Sequence, residues 1–516
     1  MTTDPRGVLI VDLGTQYTQL IARRVREAGT WCQITIPEAA LEAAAGMNLG
    51  GLILSGGPSS VYDDDAPVVP QGLLELDVPV LGICYGMQWM CRVLGGEVTR
   101  SDRREYGRTS IRILRSEGLF DQVGGHTVVW MSHGDSVSRL PAGFEVFAES
   151  EDCPYAAAAD PARALWGVQF HPEVSHTVRG RELLDNFLAR VCGFVGDWRA
   201  DSIVEREVAK VLAQVGDQGE VVLGLSGGVD SSVAAMILHK AIGKRLHCIF
   251  VDNGLLRKGE RESVEREFAE HLGMDLRVID ARARFLAKLA GVTDPERKRK
   301  IIGHEFVEVF REQAQTLTNA HFLAQGTLYP DVIESVNAHG GNTAVIKSHH
   351  NVGGLPEDLD MELVEPLREL FKDEVRVIGR FLGLADAIVD RQPFPGPGLA
   401  VRIVGEVTPE KVAMLQEADA ICTSEIEAAG AHVGLWQYFA VLLPVQSVGV
   451  MGDLRTYEDV CALRVVESAD GMTADWSYLP REVLQRISSR IINQVRGINR
   501  VVLDISSKPP ATIEWE

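Results

Sequence analysis

Glu220–Ile242 reads EVVLGLSGGVDSSVAAMILHKAI, and this stretch decides how the middle of the chain folds. Val221–Leu225 is a short apolar run of strand formers, the loop Ser226–Ser232 carries two adjacent glycines, and Val233–Ile242 has the composition of a helix. A second apolar run, His247–Val251, ends in Asp252-Asn253-Gly254. Strand, glycine loop, helix and strand in that order make a nucleotide-binding half-fold. Adjacent glycines let the backbone approach an anion, and a helix start aims free amides at it. Ser226, Ser231 and Ser232 add hydroxyl donors. A Walker-type loop would place a lysine beside the terminal phosphates, and none stands here.

Upstream, Ser202–Val215 reads as a helix opening this unit, and the first third alternates strand and helix. Val8–Leu13, Gly51–Leu54, Val78–Ile83, Thr127–Met131 and Ala164–Phe170 are apolar runs, with helix-like Gln16–Ala28 and Met87–Leu94 between them. Short continuous Val/Ile/Leu runs suit buried parallel strands, so an α/β sheet is expected. Downstream, Asp294-Pro295-Glu296 has the cap chemistry of a helix start. The run Arg297–Lys300 reads as a solvated helix face. At Arg391–Gly398, RQPFPGPG can continue neither a helix nor a central strand. Beyond it the chain alternates strands and helices again, up to the tail Lys508–Glu516. Ala428–Gly452 contains no Asp, Glu, Lys or Arg, but polar residues and glycines interrupt it; a buried strand or subunit interface is expected, not a membrane span.

The chain has 516 residues and a net charge of −21. A single core stops growing near roughly 250–300 residues, so three domains are comfortable, with divisions near residues 198 and 391. The acidic balance argues against nucleic-acid or anionic-membrane partners. Eight cysteines without a C-x-x-C pair fit a reducing, cytoplasmic setting, and MTTDPRGVLIVDLG shows no secretion signal.

Gly82-Ile83-Cys84-Tyr85-Gly86 has the spacing Gly-x-nucleophile-x-Gly between a strand and a helix. Only small flanking residues permit so sharp a turn, which lifts the nucleophile clear of the sheet. At a helix N-terminus the dipole favours thiolate, and the next amides are free for an oxyanion. Gln169-Phe170-His171-Pro172-Glu173 supplies a base, His171, and a carboxylate two residues on, on the same face of an extended segment. Cys91, without glycine flanks, reads as core.

GICYGMQ at 82–88, SGGP at 55–58 and FHPE at 170–173 resemble the class I (triad) glutamine amidotransferases across about residues 8–195. The resemblance implies that Cys84 attacks the glutamine amide, His171 shuttles the proton and Glu173 orients it. It also implies an oxyanion hole from the backbone of Gly57 and Tyr85, with Gln88 and Ser132–Asp135 near the glutamine pocket. SGGVDSS at 226–232 resembles the N-type ATP pyrophosphatases, which transfer AMP and release pyrophosphate. That implies ATP at Ser226, Gly227, Gly228, Val229, Asp230, Ser231, Ser232, Val251, Gly326 and Lys372, with Mg2+ at Asp230.

Gly326–Ser335, Ile346–Pro356, the RQPFPGPG segment and the ending KPPATIEWE extend the resemblance over essentially the whole chain, to the glutamine-hydrolysing GMP synthase family. That implies three α/β parts: an amidotransferase sheet (1–198), a Rossmann-like adenine-nucleotide α-hydrolase unit with pyrophosphatase activity (199–391), and a small α+β dimerisation domain (392–516). The implied substrates are glutamine, ATP and xanthosine monophosphate (XMP). Asp331, Glu334, Lys347 and His350 fall in a lid, and Arg257, Arg402, Gln437, Arg500, Lys508, Ile513 and Glu514 at XMP. A homodimer through the C-terminal part is implied. NAD synthetase and tRNA-adenylating enzymes share parts of this pattern; the triad elbow and the KPPATIEWE ending disfavour the first, and the lack of a basic surface and of paired cysteines disfavours the second.

Overall fold

The computed structural model describes residues 5–317, 319–337, 361–451, 453–468, 471 and 473–516. The chain forms two compact units, Met1–Ile203 and Val204–Glu516.

The first unit is built on a nine-stranded sheet. Its strands are β1 (Gly7–Val11), β2 (Trp31–Thr35), β3 (Leu49–Leu54), β4 (Val80–Ile83), β5 (Glu97–Ile113), β6 (His126–Arg139), β7 (Glu145–Glu149), β8 (Ala157–Asp160) and β9 (Leu165–Val168). The spatial order is β2-β1-β3-β4-β9-β8-β7-β5-β6. The first five of these are parallel and the last four antiparallel. The parallel half is the apolar one: β1 and β4 are buried throughout, as strands covered on both faces must be. The antiparallel half is partly solvated, and β6 alternates buried with exposed or half-buried positions over most of its length.

The second unit holds two sheets. β10 (Glu220–Gly224), β11 (Leu246–Asp252), β12 (Asp275–Asp280), β13 (Ala320–Ala324) and β14 (Glu362–Val364) form a parallel sheet in the order β12-β11-β10-β13-β14. The helix Val229–Ile242 leaves β10 after the glycine loop, as its sequence requires, and four residues of that loop, Val229–Ser232, already belong to the start of the helix. β15 (Gln437–Met451), β16 (Leu454–Glu467), β17 (Asp475–Trp476) and β18 (Ile498–Asp504) form the other sheet, with β18 parallel to β16. Period-two patterning in β15 divides its side chains. Tyr438, Ala440 and Leu442 join a large core with the helices Pro409–Ala428 and Arg481–Gln494, while Phe439 and Val441 pack on a smaller cluster with Ile513 of the tail.

That large core also takes in Val222, Ile249 and Phe310 beside the parallel sheet, and Leu399 and Leu415 beyond the proline-rich turn. The turn at 391–398 therefore separates two sheets that share a core.

The helix Pro295–Ala314 carries the expected cap: the Asp294 side chain accepts from Arg297 N, with Pro295 in the first turn. The charge run within it is not simply solvated. Lys298 is fully buried; its ammonium donates to Ile403 O at 2.7 Å and pairs with the Glu516 carboxylate, and Arg299 donates to Glu516 O. A buried ammonium needs such partners, and a distant acidic tail supplies them. All eight cysteines are free and buried. Among the described residues no helix is long and apolar enough to cross a membrane.

Candidate active sites

Cys84 sits in the crossing from β4 to the helix Tyr85–Val93, with φ +49° and ψ −104°. A non-glycine residue holds this strained conformation only when its surroundings dictate it. Here the flanks do so: a Cβ on Gly82 would lie 2.6 Å from Met87 N, and one on Gly86 2.4 Å from Leu54 O. Cys84 N donates to Val168 O at 2.7 Å, which ties the elbow to the end of β9.

The chain leaving β9 carries the base. His171 Nδ1 lies 2.7 Å from Glu173 Oε1. His171 N donates to Trp130 O at 3.0 Å, Thr177 Oγ1 donates to His171 O at 2.6 Å, and Tyr17 meets the imidazole edge-on at 5.3 Å. Burial alone would lower the His171 pKa. Hydrogen bonds to Cys84 and Glu173, and their charges, outweigh it and raise the imidazole from 6.5 to about 10. His171 thus pairs with an orienting carboxylate on one side and the Cys84 sulfur on the other. Cys91 is a fully buried core residue whose thiol burial pushes to about 12.

These groups open on a cavity of about 770 Å³, lined among others by Gly57, Cys84, Gln88, Ser132–Asp135 and His171. Tyr85 opens its helix, where amides lack intrahelical acceptors, and a Cβ on Gly57 would lie 2.5 Å from Leu13 O. Gln88 Nε2 donates to Asp135 O at 2.7 Å. Two contributions were not read from the sequence. Gly14–Tyr17 lines the same cavity, and Gln169 Nε2 approaches Cys84 Sγ at 3.6 Å. Gln169 stood in plain view beside the base, and its side chain turns inward because it is fully buried.

In the second unit, Gly228 caps the helix Val229–Ile242 and Gly227 adopts φ +74°, the left-handed turn that glycine favours. The loop is braced from within. Ser226 Oγ and Ser231 Oγ are 3.0 Å apart, Gly228 N donates to Ser226 Oγ at 3.3 Å, and Ser232 Oγ donates to Gly228 O at 2.7 Å. Lys372 Nζ lies 2.8 Å from Asp230 Oδ2, while Asp230 Oδ1 is buried without a partner. A cavity of about 140 Å³ beside the loop is lined by Ser226, Gly228, Asp230 and Ser231, by apolar Phe306 and Phe310, and by Gly326. Val251 is buried at the end of β11. Arg391, read from the sequence only as part of the turn, reaches this loop: its Nη1 donates to Gly227 O at 3.1 Å and its Nη2 meets Glu260 Oε1 at 2.5 Å.

Of the four residues expected in a lid, Asp331 caps the start of the helix Tyr329–Asn337 by accepting from Leu328 N at 3.0 Å. Glu334 falls within that helix, and Lys347 and His350 lie outside the described residues.

Four of the seven residues expected at XMP come together. Arg402 is fully buried, donates to Glu514 at 2.8 and 3.1 Å, and stands over the Phe439 ring at 3.8 Å. Gln437 Nε2 donates to Pro393 O at 2.9 Å and lies 3.4 Å from Glu514 Oε1. Arg257 and Arg402 share Phe394, at 4.4 and 5.2 Å from its centroid. Arg257 Nε and Nη2 are buried without partners, and burial, with Arg391 and Arg402 nearby, lowers its pKa to about 10 against the pull of Asp419 and Glu260. Ile513 O accepts from the buried Arg464, which was not singled out in the sequence. Arg500 bonds Ser447 Oγ at 2.5 Å on an exposed strand position, and Lys508 Nζ donates to Gly471 O at 2.8 Å. No contact joins these two to the Arg402 cluster among the described residues.

Three family models match the chain: glutamine amidotransferase class-I over residues 9–191, NAD synthase over 202–302, and the GMP synthase C terminal domain over 424–515. They give three domains in the expected order. Among curated proteins, the chain is 58% identical to a glutamine-hydrolysing GMP synthase of Phenylobacterium zucineum, covering 100% of this chain and 99% of that protein. It is 57% identical to one of Brachyspira hyodysenteriae and 56% to one of Maridesulfovibrio salexigens, each over 99% of both chains. The chain belongs to the glutamine-hydrolysing GMP synthase family.

Proposed function

We propose that the chain hydrolyses glutamine at Cys84 and uses the ammonia to convert XMP to GMP, consuming ATP and releasing AMP and pyrophosphate. The observation that carries the glutaminase half is the strained Cys84 backbone beside a His171 whose pKa is raised by Cys84 and Glu173. In this reading the Cys84 sulfur attacks the amide carbon of glutamine. The oxyanion forms beside the amides of Gly57 and Tyr85. His171 gives its proton to the departing nitrogen, and ammonia leaves a thioester. Water, activated by the now neutral His171, releases glutamate and restores the pair.

The synthetase half rests on the braced loop 226–232 and the unpaired Arg257 guanidinium. The loop amides and hydroxyls hold the ATP phosphates, and the apolar side of the cavity beside them suits the base. The purine 2-oxygen of XMP attacks the α-phosphorus, pyrophosphate leaves, and ammonia then displaces AMP at carbon 2. Arg257, Arg402, Gln437 and Glu514 border the acceptor, with Ile513, Arg500 and Lys508 as the remaining family positions. Asp230, with one carboxylate oxygen unpartnered, fits a magnesium ion bound with ATP, which would neutralise phosphate charge. Asp331, Glu334, Lys347 and His350 are proposed for the lid. Domain limits of 1–198, 199–391 and 392–516 accompany this reading.

We infer further that the chain pairs with a second copy through its C-terminal sheet. Val448, Val450 and Tyr457 are exposed on one face of the far half of the β15–β16 ribbon, an apolar face a partner would cover. A cytoplasmic location fits eight free, buried thiols.

The test is Cys84→Ala. Glutamine-dependent GMP formation should vanish while ammonium-dependent formation continues near the wild-type rate. Loss of both activities in a folded variant would contradict two separate sites.

A further inference from the structure

Beside the glutaminase cavity lies a second group of chemical side chains that the proposed reaction leaves unused. Glu105 and His133 face each other across the antiparallel β5–β6 pair, with His133 Nε2 3.1 Å from Glu105 Oε2. Cys153 is presented to them by a tight loop after β7. Ser150 N donates to Cys153 O at 2.8 Å, Cys153 N donates to Ser150 Oγ at 2.9 Å, and Ser150 Oγ donates to Glu105 Oε1 at 3.1 Å. One ligand atom from each of Glu105, His133 and Cys153 lies within 4.8 Å of the other two. His133 and Cys153 are buried and the Glu105 side chain is only 10% exposed. Among the described residues no lysine or arginine pairs with Glu105.

We propose that Glu105, His133 and Cys153 form a binding site for one zinc-class divalent cation, and that the bound ion restrains glutamine hydrolysis. A carboxylate, an imidazole and a thiol are the donor set that zinc-class ions select over magnesium or calcium. In a tetrahedral zinc site the ligand atoms stand about 3.5 Å apart, so from within 4.8 Å the group needs to contract by about 1.3 Å at most. Three protein ligands leave a fourth position for water. Binding forms a metal–sulfur bond and breaks the Cys153 S–H bond, and the proton leaves to solvent. With no lysine or arginine paired to it among the described residues, the buried Glu105 carboxylate gives the ion an electrostatic reason to enter.

Entry and effect share one route. His133 lines the glutamine cavity, and the neighbouring Ser132 carbonyl accepts from Cys84 Sγ at 3.8 Å. An ion that draws His133 toward Glu105 and Cys153 shifts the wall against which the nucleophile rests. The binding half stands on the cluster alone; the restraint half rests on the proposed glutaminase reading.

The experiment uses the full chain, stripped with chelator and titrated with Co2+, whose thiolate charge-transfer band reports a sulfur ligand. Wild type and Cys84→Ala should both bind one equivalent with this band. Cys153→Ser should lose the band, and Glu105→Gln should bind at least about tenfold more weakly. Thermal melts of each variant check folding, with Cys153→Ala as the alternative should Cys153→Ser unfold. No band in wild type, or a band lost in Cys84→Ala and kept in Cys153→Ser, would overturn the site. Zn2+ should then slow glutamine-dependent product formation in wild type, leave ammonium-dependent formation unchanged, and spare Cys153→Ser. Equal inhibition of Cys153→Ser would overturn the restraint, and the cobalt band reads binding even if the protein hydrolyses no glutamine.

Discussion

Glu514 accepts two hydrogen bonds from Arg402, at 2.8 Å from Nη2 and 3.1 Å from Nε, and that guanidinium is fully buried. A residue two positions before Glu516 thus neutralises a cation in the interior of the second unit. Removing one partner of such a pair leaves an uncompensated buried charge, which costs more than the pair contributes. Glu514→Ala should destabilise the second unit by about 3 kcal/mol, read as an earlier denaturation midpoint. Glu514→Gln keeps an acceptor for Arg402 and should lose less. Equal stability of wild type and Glu514→Ala would show that the tail is not a structural element.

Glu173→Gln tests the pair that holds the His171 proton. Glutamine-dependent turnover should fall by about a hundredfold, with ammonium-dependent turnover retained. The pH dependence of stability follows from the raised imidazole. A group whose folded pKa lies above its unfolded value stabilises most below the unfolded value, and that contribution fades as pH rises through the folded one. The stability gap between wild type and Glu173→Gln should be widest below pH 6.5 and close as pH approaches about 10. A gap that widens with pH would contradict the assignment.

Arg391 joins the phosphate loop to Glu260, whose Oε2 accepts from Arg257 N at 2.9 Å. A loop carbonyl and a buried carboxylate are thereby fixed by one planar fork. Arg391→Ala should raise the KM for ATP about tenfold and leave glutaminase activity unchanged. Arg391→Lys, a point charge that cannot serve both acceptors, should recover only part of the loss. An unchanged ATP requirement in Arg391→Ala would remove the residue from this role.

The parts legible in the sequence were those where local chemistry and fold agree. Gly82 and Gly86 announced the Cys84 elbow because no other residue passes so close to Leu54 and Met87. Gly227, at φ +74°, and Gly228, the helix cap, announced the phosphate loop because a glycine pair permits that turn. β5 was not legible, because a solvated antiparallel strand with the sequence EVTRSDRREYGRTSIRI lacks the apolar run that marks a buried one. Nor was Lys298: four consecutive cations read as a surface, and only the fold brings Glu516 to one of them. Arg391 and Cys153 were hidden likewise, since the partners that give them meaning, Gly227 and His133, lie far along the chain.

That ammonia released at Cys84 replaces an AMP group on XMP is tested by product stoichiometry with purified protein, XMP, ATP, magnesium and glutamine. GMP, AMP, pyrophosphate and glutamate should accumulate together, with one AMP for each GMP. ADP and phosphate in place of AMP and pyrophosphate, or AMP without GMP, would contradict it.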